Sequence, residues 1–204
     1  MSEIKQPLIA GNYYHIYNRG NNGIDVFYDN DSYYYFLNLY SKYINPIADT
    51  YAWCLLKNHF HILVYLKTDD EIDNNKLEYS TVEIPKQISA SKQFSHLFNS
   101  YTQAINKKFK RSGSLFEKPF ERKLVTSENY FQKLIFYVHN NPVHLGFTDK
   151  INDYPWSSYE TIVSSKPTQL KRKEVIEIYS DLDNFIYFHN QKHNLGEINN
   201  LIIE

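Results

Sequence analysis

The stretch Tyr51–Leu66, YAWCLLKNHFHILVYL, leaves this chain little choice of architecture. Two runs of apolar, aromatic and β-branched residues flank the turn-forming pair Lys57-Asn58, the pattern of a β-hairpin. Successive side chains of a strand point to opposite faces, so His59 and His61 share one face while Phe60 and Ile62 take the other. Two imidazoles on one rigid face are half of a metal site, or two ordinary histidines on a half-wet sheet. The spacing alone does not choose, because a metal needs a third ligand.

The rest of the chain supplies partners for that hairpin. Tyr13 to Arg19, YYHIYNR, alternates as a strand and ends in the turn formers Gly20-Asn21-Asn22-Gly23, which puts Tyr13, His15, Tyr17 and Arg19 on one face. Asp29-Asn30-Asp31-Ser32 offers caps for a helix from about Tyr33 to Tyr43. Residues 69–84 are polar, acidic and aperiodic, and read as an exposed loop or insertion. Apolar positions from Ile88 to Phe109 recur at helical spacing, predicting a helix over about 86–108. Leu115–Val125 reads as an interrupted strand that Pro119 confines to an edge or bulge. Thr126 or Ser127 caps a helix from Glu128 to about Asn140, expected to stop at Asn141-Pro142 because proline disfavours helical geometry in the residue before it. DYPWSSY, Asp153 to Tyr159, reads as a packed turn, and a last helical region spans about Arg172 to His189.

Strand, helix, strand, strand, helix, strand, helix is the order of an α+β, ferredoxin-like (split βαβ) antiparallel sheet with helices packed against one face, followed by a C-terminal helical extension. The boundaries are 1–160 for the main domain and 161–204 for the extension. In this topology the first strand and the His59/His61 strand are central neighbours, which brings Arg19 towards the histidines.

Composition sets limits on function. With 42% hydrophobic and 22% charged residues the chain is globular, not disordered. A single cysteine, Cys54, excludes an intrachain disulfide and fits a reducing compartment. No segment approaches ~18 consecutive apolar residues, so no membrane span and a cytoplasmic location are expected. The net charge of -1 argues against holding nucleic acid by bulk charge, yet Lys107 to Lys123 carries seven basic residues against two glutamates, a local 7 - 2 = +5. Lys107, Lys108, Lys110, Arg111, Lys118, Arg122 and Lys123 are therefore the candidate phosphate contacts, with Phe109, Phe116 and Phe120 interleaved for stacking. The alternative is a solvated face beside a glycine turn.

On the Glu128 helix, Phe131, Leu134, Ile135 and Val138 form the core stripe, and Tyr130, Tyr137 and Asn141 fall on one flank of it. Tyr137 and Asn141 are four residues apart, so a phenol and a carboxamide project one above the other. Helix geometry by itself does not choose between Tyr130 and Tyr137.

YNRG, WCLLKNHFHILV, GSLFEKPFERKLV, YVHNNPVHLGF and YPWSSY, in this order over about residues 13–160, resemble the single-tyrosine HUH transposases, most closely the REP-associated tyrosine transposase family. The resemblance implies a metal-dependent endonuclease and strand transferase on single-stranded or hairpin DNA, working as a monomer or homodimer through a 5′-phosphotyrosine. It places the metal-binding histidine pair on His59 and His61, the nucleophile on Tyr137 and the third metal ligand on Asn141, where related transposases carry Gln. Mg²⁺ or Mn²⁺ suits two imidazoles and an amide, and Zn²⁺ or Ni²⁺ could occupy the same donors without supporting turnover. Ionising a tyrosine of pKa near 10 at pH 7 costs roughly 4 kcal/mol. His15, Arg19 and His139 are the candidates to offset that cost, and Arg19 joins the basic segment as a DNA contact. Two other readings stay open: a nucleic-acid-binding module on the same fold without chemistry, and a replication-initiator or relaxase nickase, disfavoured because such chains usually carry further domains.

Overall fold

The computed structural model describes residues 6–73 and 89–193. Residues 74–84 of the acidic loop, the start of the expected 86–108 helix and the tail beyond 193 lie outside that range.

Four strands, β1 (Tyr13–Arg19), β2 (Ala48–Leu56), β3 (His59–Leu66) and β4 (Glu121–Leu124), form one sheet in the order β2-β3-β1-β4, with every neighbouring pair antiparallel. β1 and β2 both run against β3 and are therefore parallel to each other, joined through helix α1 (Asn30–Tyr43). The same relation holds for β3 and β4 across β1, joined through α2 (Ala90–Lys108). This is the split βαβ arrangement, and the Lys57-Asn58 turn falls where the residue pattern puts it. The interrupted strand over 115–125 shortens to the four residues of β4, with Phe116 bridging only Gly20.

Helices cover both faces of the sheet, not one. Phe36 and Leu39 of α1 and Phe94, Leu97, Tyr101 and Ile105 of α2 share a core with Tyr14, Ile16, Phe60, Ile62 and Val64. Against the opposite face lies α3 (Glu128–His144), whose Phe131, Leu134, Ile135 and Val138 pack with Ala52, Cys54, Leu56 and Leu63. The physical reason is that β2 and β3 are apolar on both faces along most of their length, so one helical layer would leave Leu63 and its neighbours wet.

Ser127, not Thr126, caps α3, its hydroxyl accepting the Tyr130 N–H at 3.2 Å. The helix runs through Pro142 to His144 instead of stopping at Asn140. Pro142 sits in the last turn, where a missing N–H forfeits one bond, and the end is closed beyond it by Phe147 N–H to Pro142 O at 2.8 Å and by Gly146 at φ +73°. Asn141 is consequently helical, and its four-residue step from Tyr137 is preserved.

The expected helix over 172–189 is two, α5 (Arg172–Ile178) and α6 (Leu182–His189), after a short α4 (Tyr159–Val163). Ser180, at φ +75°, breaks the run, and Asp181 restarts it by accepting the Asn184 N–H at 2.7 Å. Val175, Tyr179 and Phe185 join the cluster beneath α3. The YPWSSY segment lines the outer edge of β2, with Leu55 N–H to Trp156 O and Ser158 N–H to Trp53 O both at 2.9 Å. An open strand edge is a template for unwanted pairing, and this segment occupies it. Among the described residues no helix is long and apolar enough to cross a membrane.

Candidate active site

The register of β1 against β3 assembles the site. Arg19 pairs with His59, Tyr17 with His61 and His15 with Leu63, so the face that carries His59 and His61 also carries His15, Tyr17 and Arg19. Phe60 and Ile62 point into the opposite core as the alternation requires. His59 is half-buried, His61 is 3% exposed and His15 is fully buried. Nε2 of His15 lies 2.9 Å from Nδ1 of His61, and Nδ1 of His59 lies 2.7 Å from Oδ1 of Asn58.

From the other side α3 brings Tyr137 onto the same histidines. Its ring meets His61 edge-on at 5.4 Å between centroids and His15 at 6.4 Å. Tyr137 is 1% exposed and Asn141 fully buried. Neither the oxygen nor the nitrogen of the Asn141 carboxamide has a hydrogen-bond partner, and neither does Nε2 of His61. Buried polar atoms are normally satisfied, so the open carboxamide of Asn141 and the open imidazole nitrogen of His61 are each candidates to meet a polar group. Tyr130 differs: its hydroxyl is buried without a partner, and burial, then the nearby Tyr17, pushes its pKa up to about 12.

Burial keeps His15 and His61 neutral. Burial holds His15 down to about 3, with the positive charge of Lys123 adding to it, and burial holds His61 well below its ordinary value, followed by His15 and His59. Neutral imidazoles are what a metal ion requires. Among the described residues no group of three or more His, Cys, Asp or Glu side chains gathers as ligands would, so a third donor taken from these residues to stand beside His59 and His61 would be of another type. The Asn141 oxygen fits that description by chemistry and by its lack of a partner.

The basic residues divide between the two faces. β4 pairs Lys123 with His15 and Arg122 with Ile16, so Lys123 joins the histidine face while Arg122 is on the α2 side. There the Arg122 guanidinium covers Phe120 at 4.3 Å and lines a groove of about 550 Å³ between α2 and residues 113–122, which Lys118 also borders. Arg19 reaches back to Glu117 at 2.8 Å. Lys108 is held by Asp29 and Asp31 at 2.7 and 3.2 Å, which offsets part of the local surplus of charge. Lys107 and Lys110 are exposed, and Arg111 bonds Asn106 at the C-terminal end of α2. Phe116 and Phe120 are buried core residues and Phe109 stacks on Tyr28 at 4.5 Å, so the expected stacking platform is not formed. His139 faces away from the site, bonded to His189 at 3.0 Å and to Ser158 at 2.7 Å. Sequence alternation placed His15 and Tyr17 on this face but could not pair His15 with His61, a diagonal neighbour that only the register reveals.

No protein-family model matches the chain. A curated Haemophilus influenzae protein, named as a REP-associated tyrosine transposase, is 25% identical over 118 residues, covering 58% of this chain and 62% of the relative. The matched stretch thus spans about three-fifths of that relative. A solved structure of a REP-associated tyrosine transposase bound to a REP hairpin superposes with a TM-score of 0.61 at 17% identity, covering 82% of this chain and 89% of the other. A bacterial tRNA(His) guanylyltransferase (Thg1)-like protein in complex with GTP follows at a TM-score of 0.40 and 14% identity, over 74% of this chain and 73% of that one, too distant to bear on function.

Proposed function

We propose that this chain, related to the REP-associated tyrosine transposases in sequence and in fold, is a transposase acting on hairpin-forming DNA, a single-strand endonuclease and strand transferase with Tyr137 as its nucleophile. The observation that carries the reading is the meeting of Tyr137 with His61 across the α3–sheet interface, one helical turn from a carboxamide with both ends open. His59, His61 and Asn141 would hold a divalent ion, Mg²⁺ or Mn²⁺, which when bound supplies charge stabilisation to a phosphodiester oxygen. Residues 161–204 are read as an extension, whose Val175, Tyr179 and Phe185 brace α3.

The chemistry of the side chains is a transesterification. The Tyr137 phenol gives up its proton, its oxygen forms a bond to phosphorus, the bond from phosphorus to the 3′ oxygen breaks, and that oxygen takes up a proton. The products are a 5′-phosphotyrosine and a free 3′-hydroxyl, and a second 3′-hydroxyl can run the step backwards onto a new strand. Bond energy is conserved in the covalent link, so no nucleotide cofactor enters. Lys123 on the histidine face and Arg19 at its end are the cations best placed to meet phosphates there. Tyr137 is 1% exposed, so the strand reaches the phenol only by displacing a neighbour.

A denaturing-gel assay with Mn²⁺ and labelled hairpins from the DNA flanking the gene tests this. A covalent protein–DNA band on the 3′-side fragment, lost in Tyr137→Phe and in His59→Ala, is expected. Shifted hairpins that are never cleaved, with EDTA making no difference, would replace this reading with that of a DNA-binding module without chemistry.

A further inference from the structure

The two histidines of the site have one property in common that their spacing does not require. Each has its Nδ1 engaged by a neighbour, His59 by the Asn58 carboxamide oxygen at 2.7 Å and His61 by His15 Nε2 at 2.9 Å. An amide oxygen only accepts, so His59 carries its proton on Nδ1 and Nε2 is its unprotonated nitrogen. For His61 two arrangements are available. Either His61 Nδ1–H donates to His15, leaving the lone pair on His61 Nε2, or His15 Nε2–H donates to His61, leaving a proton on the nitrogen that would face an ion. Only the first can bind metal. Both rings are buried, where a shared extra proton is costly, and they lie 5.1 Å apart with planes 22° apart, a geometry that either direction of the bond satisfies. His15 Nδ1 has no partner, so the bond to His61 is the whole of this side chain's hydrogen bonding.

Resting on the metal reading above, we propose that His15 and Asn58 are positioning residues. They hold His61 and His59 in the same tautomer, with the proton on Nδ1 and Nε2 turned to the ion. A metal-ligating histidine is ordinarily oriented by an acceptor on its other nitrogen, and loss of such an acceptor costs ~10–100-fold in metal affinity. The usual acceptor is a carboxylate, a backbone carbonyl or water. Here an imidazole takes that place at one histidine and the hairpin's own turn residue at the other.

Two measurements on the full chain decide it. Long-range ¹H–¹⁵N spectra of histidine-labelled protein read the tautomers directly, before and after addition of diamagnetic Zn²⁺, and should show His59 and His61 protonated at Nδ1 already in the metal-free form and unchanged in the Zn²⁺-bound one. Mn²⁺ affinity by titration calorimetry should fall ~10–100-fold in His15→Phe and in Asn58→Ala. It should be retained in His15→Gln, whose amide oxygen can still accept from His61. A merely space-filling role predicts the reverse order, with the aromatic Phe tolerated and Gln not. If His15→Phe does not fold, by circular dichroism, Asn58→Ala and His15→Gln carry the test. A proton on His61 Nε2 in the metal-free protein overturns the proposal, as does equal Mn²⁺ affinity in wild type and the folded variants. A wild type that binds neither ion overturns the metal reading itself and this inference with it, an outcome distinct from equal and measurable binding.

Discussion

Asn141 is an expensive residue to keep. A buried carboxamide with both ends unsatisfied costs on the order of 1–3 kcal/mol per stranded group, and an apolar side chain of the same volume would not incur it. We therefore expect Asn141→Leu to stabilise the metal-free protein by about 1 kcal/mol or more in urea unfolding, while weakening Mn²⁺ binding and DNA cleavage. A large loss of stability instead would mean that the carboxamide is satisfied in the fold and has no claim to be a ligand. The step from Tyr137 to Asn141 and the alternation of His59 and His61 were legible in the sequence because both are local periodicities. What each residue meets across the fold was not. Arg19 ends on Glu117, ninety-eight residues away, Phe116 and Phe120 turn inward, and His139 serves the C-terminal helices.

Among the elements, the hairpin and α1 follow their residue patterns closely, whereas α3 outruns its own proline and the last helix divides at Ser180. Proline rules describe a helix interior, and Pro142 stands where the final turn has little left to lose. The turn after β1 shows how tightly the elements interlock. Gly20 donates its N–H to Asn58 O at 2.7 Å, tying the end of β1 to the hairpin turn, and Asn21 N–H reaches Leu115 O at 2.9 Å. Gly20 has an ordinary φ of -63°, but a Cβ there would lie 1.9 Å from the carbonyl oxygen of Ile24. Gly113 is the opposite case, at φ +85° with open space around it. Gly20→Ala should thus cost about 2–3 kcal/mol through displaced backbone, and Gly113→Ala only about 1 kcal/mol through its dihedral. Urea midpoints of the two variants check this. Equal costs would show that the 20–24 turn yields freely and does not anchor the histidine strand.

For the molecule as a whole, the packing of α3 on the C-terminal helices depends on a buried chain of hydrogen bonds. His189 Nδ1–H donates to Phe185 O at 2.8 Å, which leaves His189 Nε2 to accept from His139 Nδ1–H at 3.0 Å and His139 Nε2 to accept from the Ser158 hydroxyl at 2.7 Å. The relay joins α3, α6 and the segment beside β2, and every imidazole in it has to be neutral. Burial holds His189 down to about 3 and His139 well below its ordinary value. The unfolded chain binds these protons near pH 6.5 and the folded one does not, so stability is fully present above about 6.5 and is lost as pH falls towards 3. Each such histidine contributes a slope of up to about 1.4 kcal/mol per pH unit below 6.5, and His15 adds to the slope for the same reason. Urea unfolding at pH 7.5 and at pH 5.5 should give a clearly lower stability at the acidic value, and His189→Leu should reduce the difference by about one histidine's share. A stability that does not change between the two values would mean that these rings are solvated or charged in the folded state, and that α6 is held to α3 by apolar packing alone.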